Sequence, residues 1–383
     1  MLHTSYIEID RKALAQNFRF IRDRLGPQVK ISSVVKGNAY GHGIETFVPL
    51  AEMCGIDHFA VFNTDEAFRI KTIRSENSEI MIMGMIDTPE IKWAIRNDIE
   101  FYVFDPARLE SAIENAKRLN KKAKVHIELE TGMNRTGFDK KSLQLVKNIV
   151  SSNLEYLELT GVCTHYAGAE SISNYVRVKG QIRKYSTMLR EFLNDGLVPK
   201  YRHTACSAAS MRYPQTVMDM ARIGILQYGF WPNRETFIDY LAGREDKSDP
   251  LQRVISWKSK IMATKEIKTG EFIGYGTTFL AHKDMRVATI PVGYSHGYSR
   301  SLSNLGRVLV HGTRVIVVGV VNMNMMTIDI TDVPDAKAGD EVVLIGHQGE
   351  FDISVASFSE MSDQLNYEAL TRLPAETPRV IVG

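Results

Sequence analysis

The sequence has few cysteines, little net charge and no long apolar run. Its three cysteines, Cys54, Cys163 and Cys206, lie far apart and form no Cys-x-x-Cys pair, so nothing supports a disulfide framework or a cysteine zinc site. Lys and Arg (47) nearly balance Asp and Glu (45), and the net charge of +2 is too small for a sequence-independent grip on nucleic acid. No segment approaches the ~18 uncharged apolar residues of a membrane span. We therefore predict a cytoplasmic protein that acts on a small molecule, with no metal site.

The length of the chain limits the number of domains that it can form. At roughly 150 residues per domain, a chain of 383 residues predicts two domains, or one large barrel with an appendage. With 44% hydrophobic and 24% charged residues, the composition is that of an ordinary globular protein that buries a substantial core.

Short β-rich apolar runs alternate with amphipathic segments, such as 105–119 and 139–152, through the first two-thirds of the chain. About eight such runs in roughly 220 residues favour a (β/α)₈ barrel over an open sheet. After Pro250, β-branched runs are separated by glycine turns instead. The sequence thus predicts an α/β fold with an N-terminal (β/α)₈ barrel over 1–245 and a C-terminal β-rich domain over 246–383. The first few residues of the chain are available to pair with this second domain.

Lys36 lies where the run ISSVV ends and KGNAYGHG begins, and barrel active sites lie at the C-terminal ends of strands. Taken alone, a lysine in such a loop is most simply a solvated side chain. The segment VVKGNAYGHG (34–43), however, resembles the cofactor-lysine segment of the alanine racemases, which combine a barrel with a C-terminal β domain. Seven further segments resemble the family in the same order: 130–138, 164–170, 203–210, 221–229, 274–279, 291–298 and 321–329.

The resemblance implies an enzyme that uses pyridoxal 5′-phosphate (PLP) to interconvert L- and D-alanine. When PLP is attached to an amino acid's nitrogen, its ring accepts electron density and the α-proton becomes removable. The family's roles then fall on two residues here: Lys36 binds PLP and is the base for the D enantiomer, and Tyr275 is the opposing base for the L enantiomer. Tyrosine has a reference pKa near 10, so Tyr275 needs a partner to work near neutrality.

Two further catalytic assignments follow from the same resemblance. His165 matches the histidine that is hydrogen-bonded to the tyrosine base, and Arg222 matches the arginine that faces the pyridine nitrogen of PLP. Since arginine stays protonated, it keeps that nitrogen largely unprotonated and weakens the electron sink. Alone, His165 is more simply a structural histidine and Arg222 a member of a surface ion pair. Their joint occurrence in the family's order favours the catalytic roles.

Phosphate binding in this family relies on backbone amides and hydroxyl groups. The positions that match its phosphate contacts are Tyr40, Ser207, Gly224 and Ile225. Ser207 has a simpler alternative role as the N-cap of the helix that follows it. The positions that match its substrate contacts are Arg135 in the barrel and Tyr294 and Met323 in the second domain.

Several positions depart from the family pattern. Glu128 replaces a lysine that is often carbamylated, and as a built-in carboxylate it is suited to orient Arg135. His296, Asn322 and Asn324 replace other residues of the family motifs around the substrate. In an alignment without gaps, Ala375 replaces a tyrosine that contacts the phosphate and walls the pocket for the substrate methyl group. Either this pocket is wider here, or the loop aligns with a shift and another residue fills the gap.

Alternative functions remain at this stage. A broad-specificity racemase that acts on serine or larger amino acids is the close variant. A barrel-type PLP amino-acid decarboxylase is more remote, since it needs a cysteine-aspartate pair and a serine-glycine-rich phosphate loop that this chain lacks. A non-catalytic PLP-binding protein is usually a lone barrel, without the residues that follow Pro250. The resemblance also implies a homodimer in which the β domain of one subunit completes the site of the other.

Overall fold

The computed structural model describes residues 3–362 and 366–383. The chain divides into two compact units, of which one contains a barrel and the other a mixed β-sheet. The barrel unit comprises Leu14–Lys36 and Val48–Gln252. The β unit comprises the N-terminal residues to Ala13, Gly37–Phe47 and Arg253–Gly383, and so includes the first strand, β1 (Ser5–Asp10).

The barrel consists of eight parallel strands. They are β2 (Lys30–Val34), β3 (His58–Val61), β4 (Glu79–Ile82), β5 (Glu100–Val103), β6 (Ala123–Glu128), β7 (Leu157–Cys163), β8 (Tyr201–His203) and β9 (Met220–Ile223). Their order is β8-β7-β6-β5-β4-β3-β2-β9. The two end strands approach each other through hydrogen bonds from Asp219 N to Arg202 O (3.2 Å) and from Arg222 N to Ala205 O (2.9 Å), which nearly close the barrel.

Helices follow the strands in alternation. In this part of the chain they span Arg11–Leu25, Ile44–Met53, Thr64–Ile73, Thr88–Arg96, Pro106–Leu119, Leu143–Ser151, Tyr175–Asn194, Ser207–Arg212 and Arg234–Leu241, with 3₁₀ turns at Ile172–Asn174, Pro214–Thr216 and Ile225–Tyr228. No helix among the described residues is long and apolar enough to cross a bilayer.

Local sequence explains these elements. All residues of β3 and β5 are buried, as expected for parallel strands that are covered on both faces. The helix Pro106–Leu119 begins where the Asp105 side chain accepts a hydrogen bond from Arg108 N (2.9 Å), and it ends at Asn120 in the left-handed conformation. The helix Leu143–Ser151 buries an apolar face at three-and-four spacing. The (β/α)₈ architecture predicted from the sequence is confirmed.

The β unit is built on one mixed sheet. Its strands after β1 are β10 (Ile255–Lys260), β11 (Ala263–Ile267), β12 (Met285–Ile290), β13 (Arg307–Val310), β14 (Thr313–Val318), β15 (Met326–Asp329), β16 (Glu341–Gln348), β17 (Phe351–Ile353) and β18 (Arg379–Val382). The order is β11-β12-β15-β14-β13-β16-β10-β1-β18, with β17 paired to β16. The N-terminal strand β1 therefore lies inside this sheet, antiparallel to β10 and parallel to β18.

The β unit also contains helical segments that the sequence pattern did not indicate individually. Two α-helices, Val355–Ser362 and Asn366–Thr371, precede β18, and 3₁₀ turns occur at Tyr294–His296 and Arg300–Leu302. The confirmed prediction is thus a β-rich domain, with two short helices placed between its last strands.

Candidate active site

Lys36 follows β2 at the C-terminal end of the barrel, and the chain after it forms a left-handed turn. Gly37, Asn38, Ala39 and Tyr40 have φ angles of 63°, 54°, 54° and 51°. Each L-residue in this conformation costs roughly 1–2 kcal/mol, so the turn needs external support. Part of that support is local, because Gly41 N donates to Gly37 O at 3.0 Å and Gly43 N donates to Asn38 O at 2.9 Å.

The β unit holds this turn from the C-terminal side. A Cβ on Gly41, which has φ +81°, would lie 2.0 Å from the carbonyl oxygen of Leu370, so only glycine fits there. Arg379 Nη2 donates to Gly41 O at 2.8 Å, while its Nη1 donates to Pro374 O (2.6 Å) and Ala375 O (2.9 Å). Arg379 therefore ties the turn that follows Lys36 to the loop that carries the exposed Ala375.

The Lys36 side chain is accessible, yet protein atoms surround it closely enough that desolvation is the largest influence on its amine. Desolvation and the charges of Arg135 and Arg222 lower the pKa of Lys36, against the opposing effect of Glu66. A lowered pKa increases the fraction of neutral amine, which is the form that attacks a carbonyl carbon or accepts a proton.

His165 lies in the loop after β7 and is held in its neutral form. Burial, followed by the charges of Arg222, Arg135 and Lys36, lowers its pKa to about 3. Gln181, from the helix Tyr175–Asn194, fixes the backbone of this loop: its Nε2 donates to His165 O (3.1 Å) and its Oε1 accepts from Ala167 N (2.9 Å). A neutral imidazole has one N–H that can donate a hydrogen bond and one nitrogen that can accept one.

Arg222 lies on β9 and is almost fully buried. Its Nη1 donates to His203 Nδ1 (2.6 Å) and His203 O (2.7 Å), and its Nη2 donates to Thr164 O (2.8 Å) and Thr204 O (3.3 Å). These four bonds use four of the five N–H groups of a guanidinium. Among the described residues, no acceptor takes the fifth, Nε–H. Arg222 is thus a fixed cation with one donor left for a ligand.

Ser207, Gly224 and Ile225 lie side by side where β8 and β9 end. Ser207 Oγ accepts a hydrogen bond from Gly224 N at 2.9 Å, and Gly224 precedes the 3₁₀ turn that begins at Ile225. Ser207 is the first residue of its helix; the N-cap position belongs to Cys206, which makes no side-chain capping bond. The alternative in which Ser207 caps that helix is therefore wrong.

Arg135 lies in the exposed loop after β6, where its charge acts on Lys36 and His165. Glu128, at the end of β6, is buried, and its Oε2 accepts from Thr136 Oγ1 at 2.7 Å. Burial raises the pKa of Glu128, while this hydrogen bond and then the Arg135 charge oppose the rise. Glu128 thus contacts Thr136, the neighbour of Arg135 in the chain, while the Arg135 charge acts on Glu128 through space.

Tyr275, Tyr294 and Met323 belong to the β unit. Tyr275 is 75% exposed and lies between Gly274 (φ +77°) and Gly276 (φ +68°). Tyr294 and Met323 lie on adjacent loops, since Tyr294 N donates to Asn322 O (3.0 Å) and Ser295 Oγ donates to Met323 O (2.7 Å).

The structure therefore brings the predicted barrel residues together. Those at or just beyond the C-terminal strand ends are Lys36, Arg135, His165, Ser207, Arg222, Gly224 and Ile225. Tyr40, Tyr275, Tyr294 and Met323 lie in the β unit. Tyr40 is buried there in the left-handed turn, with its ring centroid 5.9 Å from that of Tyr367.

Sequence reasoning missed a chain of buried polar residues inside the barrel. Glu100, His126 and His203 connect to Arg222 by hydrogen bonds, and His58 joins the chain at Glu100. The available signal was one histidine inside each of three strand segments, HFAV, KVHIEL and YRHTA. A buried histidine in a parallel strand needs a polar partner, and here the partners are one another.

His58, Glu79 and Glu100 also lie close enough together to hold a metal ion. The Glu79 oxygens, however, are already 3.0 Å from Lys30 Nζ and 3.1 Å from Lys200 Nζ. The two ammonium groups therefore already neutralise the carboxylate that a metal cation would need as a ligand, and we assign no metal to this cluster.

The fold and the site together define a barrel protein with a cationic cluster at its strand ends and a separate β domain. Residues 9–232 match the alanine racemase N-terminal domain and residues 254–381 the alanine racemase C-terminal domain. The chain belongs to the alanine racemase family.

Individual relatives agree with this assignment. An alanine racemase of Leptospira interrogans is 33% identical over 99% of this chain and 96% of its own length. The alanine racemase structure from Clostridium difficile 630 matches with a TM-score of 0.91 and 30% identity, over 100% of this chain and 96% of that one. The Bartonella henselae enzyme, described with covalently bound pyridoxal phosphate, matches with a TM-score of 0.84 and 26% identity over 100% of both chains.

Proposed function

We propose that this protein is an isomerase that interconverts L- and D-alanine with PLP as its cofactor. The observation that carries the proposal is Arg222, a buried cation with Nε–H as its one remaining donor, in the same cluster as a lysine of lowered pKa. A pyridine nitrogen is the kind of acceptor that a single fixed N–H suits, and a lysine amine is the group that binds an aldehyde. The residues present therefore fit PLP.

Lys36 would hold the cofactor covalently, and Arg222 would face its ring nitrogen. Tyr40, Ser207 and the backbone amides of Gly224 and Ile225 would bind its phosphate, the Gly224 amide exchanging its bond to Ser207 Oγ for one to a phosphate oxygen. When bound, PLP withdraws electron density from the α-carbon of an attached amino acid and so makes the α-proton removable. Because Arg222 remains protonated, it keeps the ring nitrogen an acceptor and limits how much electron density the ring takes up.

Proton removal would use two bases on opposite faces of the substrate. Lys36 Nζ, with its lowered pKa, accepts the α-proton from the D enantiomer. Tyr275 Oη accepts it from the L enantiomer. His165, neutral because its pKa is about 3, would donate its ring N–H to Tyr275 Oη and so favour the deprotonated tyrosine that accepts a proton. Arg135 would bind the substrate carboxylate, and Tyr294 and Met323 would line the substrate side of the site.

Alanine is the default substrate, and a broader racemase is the second candidate. The observation that favours it is Ala375, whose methyl side chain lies on an exposed loop held by Arg379 through its backbone carbonyl. A tyrosine at this position would narrow the substrate pocket, whereas alanine leaves room for serine or longer side chains.

The deciding experiment incubates the PLP-loaded protein with a panel of L-amino acids and measures the D products by chiral chromatography. We expect D-alanine, none with Lys36→Ala, and wild-type yield with the control variant Lys122→Ala, whose lysine is exposed. The proposal fails if the loaded wild type forms no D-amino acid.

We further propose a homodimer in which Tyr275 of one subunit serves the site that contains Lys36 of the other. Its test mixes two inactive variants, Lys36→Ala and Tyr275→Phe, under conditions that exchange subunits. Half of the dimers are then hybrids with one intact site of two, so about a quarter of wild-type activity should return. If both bases belong to the same subunit, mixing restores nothing.

A further inference from the structure

Four side chains form a continuous hydrogen-bonded path through the barrel interior. Arg222 Nη1 lies 2.6 Å from His203 Nδ1, His203 Nε2 lies 2.8 Å from His126 Nδ1, and His126 Nε2 lies 2.8 Å from Glu100 Oε2. Glu100 and both histidines are fully buried. Glu100 is the first residue of β5, while His203 is the last of β8, so the path runs from the N-terminal end of the barrel to the C-terminal end, where the candidate active site lies.

The direction of every bond on this path follows from its ends. A guanidinium can only donate, so His203 Nδ1 must be an unprotonated acceptor and its proton must be on Nε2. His203 Nε2–H then donates to His126 Nδ1, which places the proton of His126 on Nε2, and that N–H donates to Glu100. Both imidazoles are thus neutral and in the Nε2–H form. Burial and the Arg222 charge agree, since they lower the pKa of both histidines.

A second branch holds the acidic end in place. His58 Nε2 donates to Glu100 Oε2 at 3.1 Å, and His58 Nδ1 lies 2.9 Å from Ser32 Oγ. Burial raises the pKa of Glu100, but the hydrogen bonds from His126 and His58 outweigh this effect and hold that pKa well below its usual range. The carboxylate is therefore ionised, and it accepts from both branches through the same oxygen.

Loss of this carboxylate would remove the group that orders the path. Without an acceptor at position 100, nothing at that end of the path favours the His126 proton on Nε2, and only Arg222 at the other end still disfavours the Nδ1–H tautomers. A His203 with its proton on Nδ1 would point an N–H at Arg222 Nη1, and two donors facing each other repel. The guanidinium would then have to turn away from its four acceptors.

We propose that Glu100 is a positioning residue for the cofactor site: through His126 and His203 it fixes the hydrogen-bond direction that keeps Arg222 in one orientation, with Nε–H as its donor to the cofactor. The part that concerns the cofactor rests on the proposed function. The part that concerns the path is a property of the protein alone.

The path is tested in the cofactor-free protein by ¹⁵N NMR of labelled histidine. In the wild type, His126 and His203 should both show the Nε2–H tautomer. In Glu100→Leu, at least one of the two histidines should show a mixture of tautomers. Glu100→Gln should keep both histidines in the Nε2–H form, because its amide oxygen still accepts a hydrogen bond. Glu79→Gln is the matched control, since Glu79 also begins a strand at this end of the barrel but lies off the path; it should change neither.

Two results would overturn the path. One is a wild-type spectrum in which either histidine is protonated on Nδ1, a result that needs no variant to fold. The other is a folded Glu100→Leu protein whose histidine spectrum is unchanged. If Glu100→Leu does not fold, His126→Phe breaks the path while leaving Glu100 bound to His58, and His126→Gln, which can both donate and accept, should restore it.

The effect on the cofactor is measured in the PLP-loaded variants. In metal sites, loss of an outer partner of a ligand typically weakens binding about 10-fold or more, and by analogy we expect Glu100→Leu to raise the PLP dissociation constant by about that factor. The absorption spectrum of bound PLP should also change with pH in Glu100→Leu, whereas that of the wild type should not. For alanine, kcat should fall while KM stays nearly constant. Glu100→Gln should behave as wild type in all three.

Failure of this inference differs from failure of the proposed function. If the wild type binds PLP and racemises alanine but Glu100→Leu keeps its affinity, spectrum and kcat, the positioning role is wrong. If the wild type racemises nothing, the proposed function is wrong, and the tautomer experiment still decides whether Glu100 orders the path.

Discussion

Gly41 offers the sharpest test of how the fold supports the lysine segment. The change Gly41→Ala has two costs that can be separated. An alanine at φ +81° is strained by roughly 1–2 kcal/mol. Its Cβ would also lie 2.0 Å from Leu370 O, so a backbone carbonyl must move, and overpacking of this kind costs typically ~1–3 kcal/mol. We expect a total loss of about 2–5 kcal/mol in unfolding free energy.

Gly339→Ala is the matched control in the same unit. Gly339 has φ +96°, and a Cβ added to it would meet no described atom within 4 Å, so this change carries the backbone strain without the clash. Thermal unfolding followed by circular dichroism compares the two, at about 2–4 °C per kcal/mol for domains of moderate size. Gly41→Ala should melt clearly lower and should also lose PLP attachment at Lys36, which Gly339→Ala retains. Equal melting temperatures, or undiminished attachment in Gly41→Ala, would refute the argument.

Further predictions concern the bases, the pocket and pH. Borohydride reduction and peptide mapping of the PLP-loaded protein should place the pyridoxyl group on Lys36; a label on another lysine contradicts the assignment. Tyr275→Phe should slow α-proton exchange of L-alanine by ~10²–10⁴-fold and that of D-alanine far less, as deuterium exchange of each enantiomer will tell. Ala375→Tyr should lower the ratio of serine to alanine turnover, and an unchanged ratio points away from this pocket. Because His165 and His42 have pKa values of about 3 and about 4 when folded, against about 6.5 for a free histidine, the unfolded chain binds more protons as the pH falls below about 6.5. Melting temperature should therefore decrease from pH 7 to pH 5, and less steeply in His165→Gln; a rise would contradict the sign.

Much of the fold was predictable because its signals are local. The eight apolar runs correspond to strands β2–β9, and the segment 139–152 contains the helix Leu143–Ser151, because burial on one or both faces imposes a short period on the sequence. The two helices before β18 were missed, since Val355–Ser362 and Asn366–Thr371 are short and lie among β-branched strands. The left-handed turn was also unpredictable in detail: glycines indicate a turn, but local sterics disfavour positive φ at Ala39 and Tyr40.

The candidate site, like the fold, was predictable from the sequence only in part. That Lys36 follows a strand, and that Arg222 lies on another, followed from the sequence and its family resemblance. That Ser207 Oγ accepts from Gly224 N did not, nor did the path from Glu100 to Arg222. The catalytic roles of Lys36 and Tyr275 remain predictions.

The sequence by itself thus determined the strands of the barrel, and which residue types stand at strand ends, because these depend on neighbours two to four positions away. Only the tertiary structure decided that histidines on β6 and β8 meet each other and that a carboxylate on β5 reaches an arginine on β9. Those contacts depend on strand order and register. Both are set by the packing of the whole barrel, in which residues far apart in sequence become neighbours, and no local pattern encodes them.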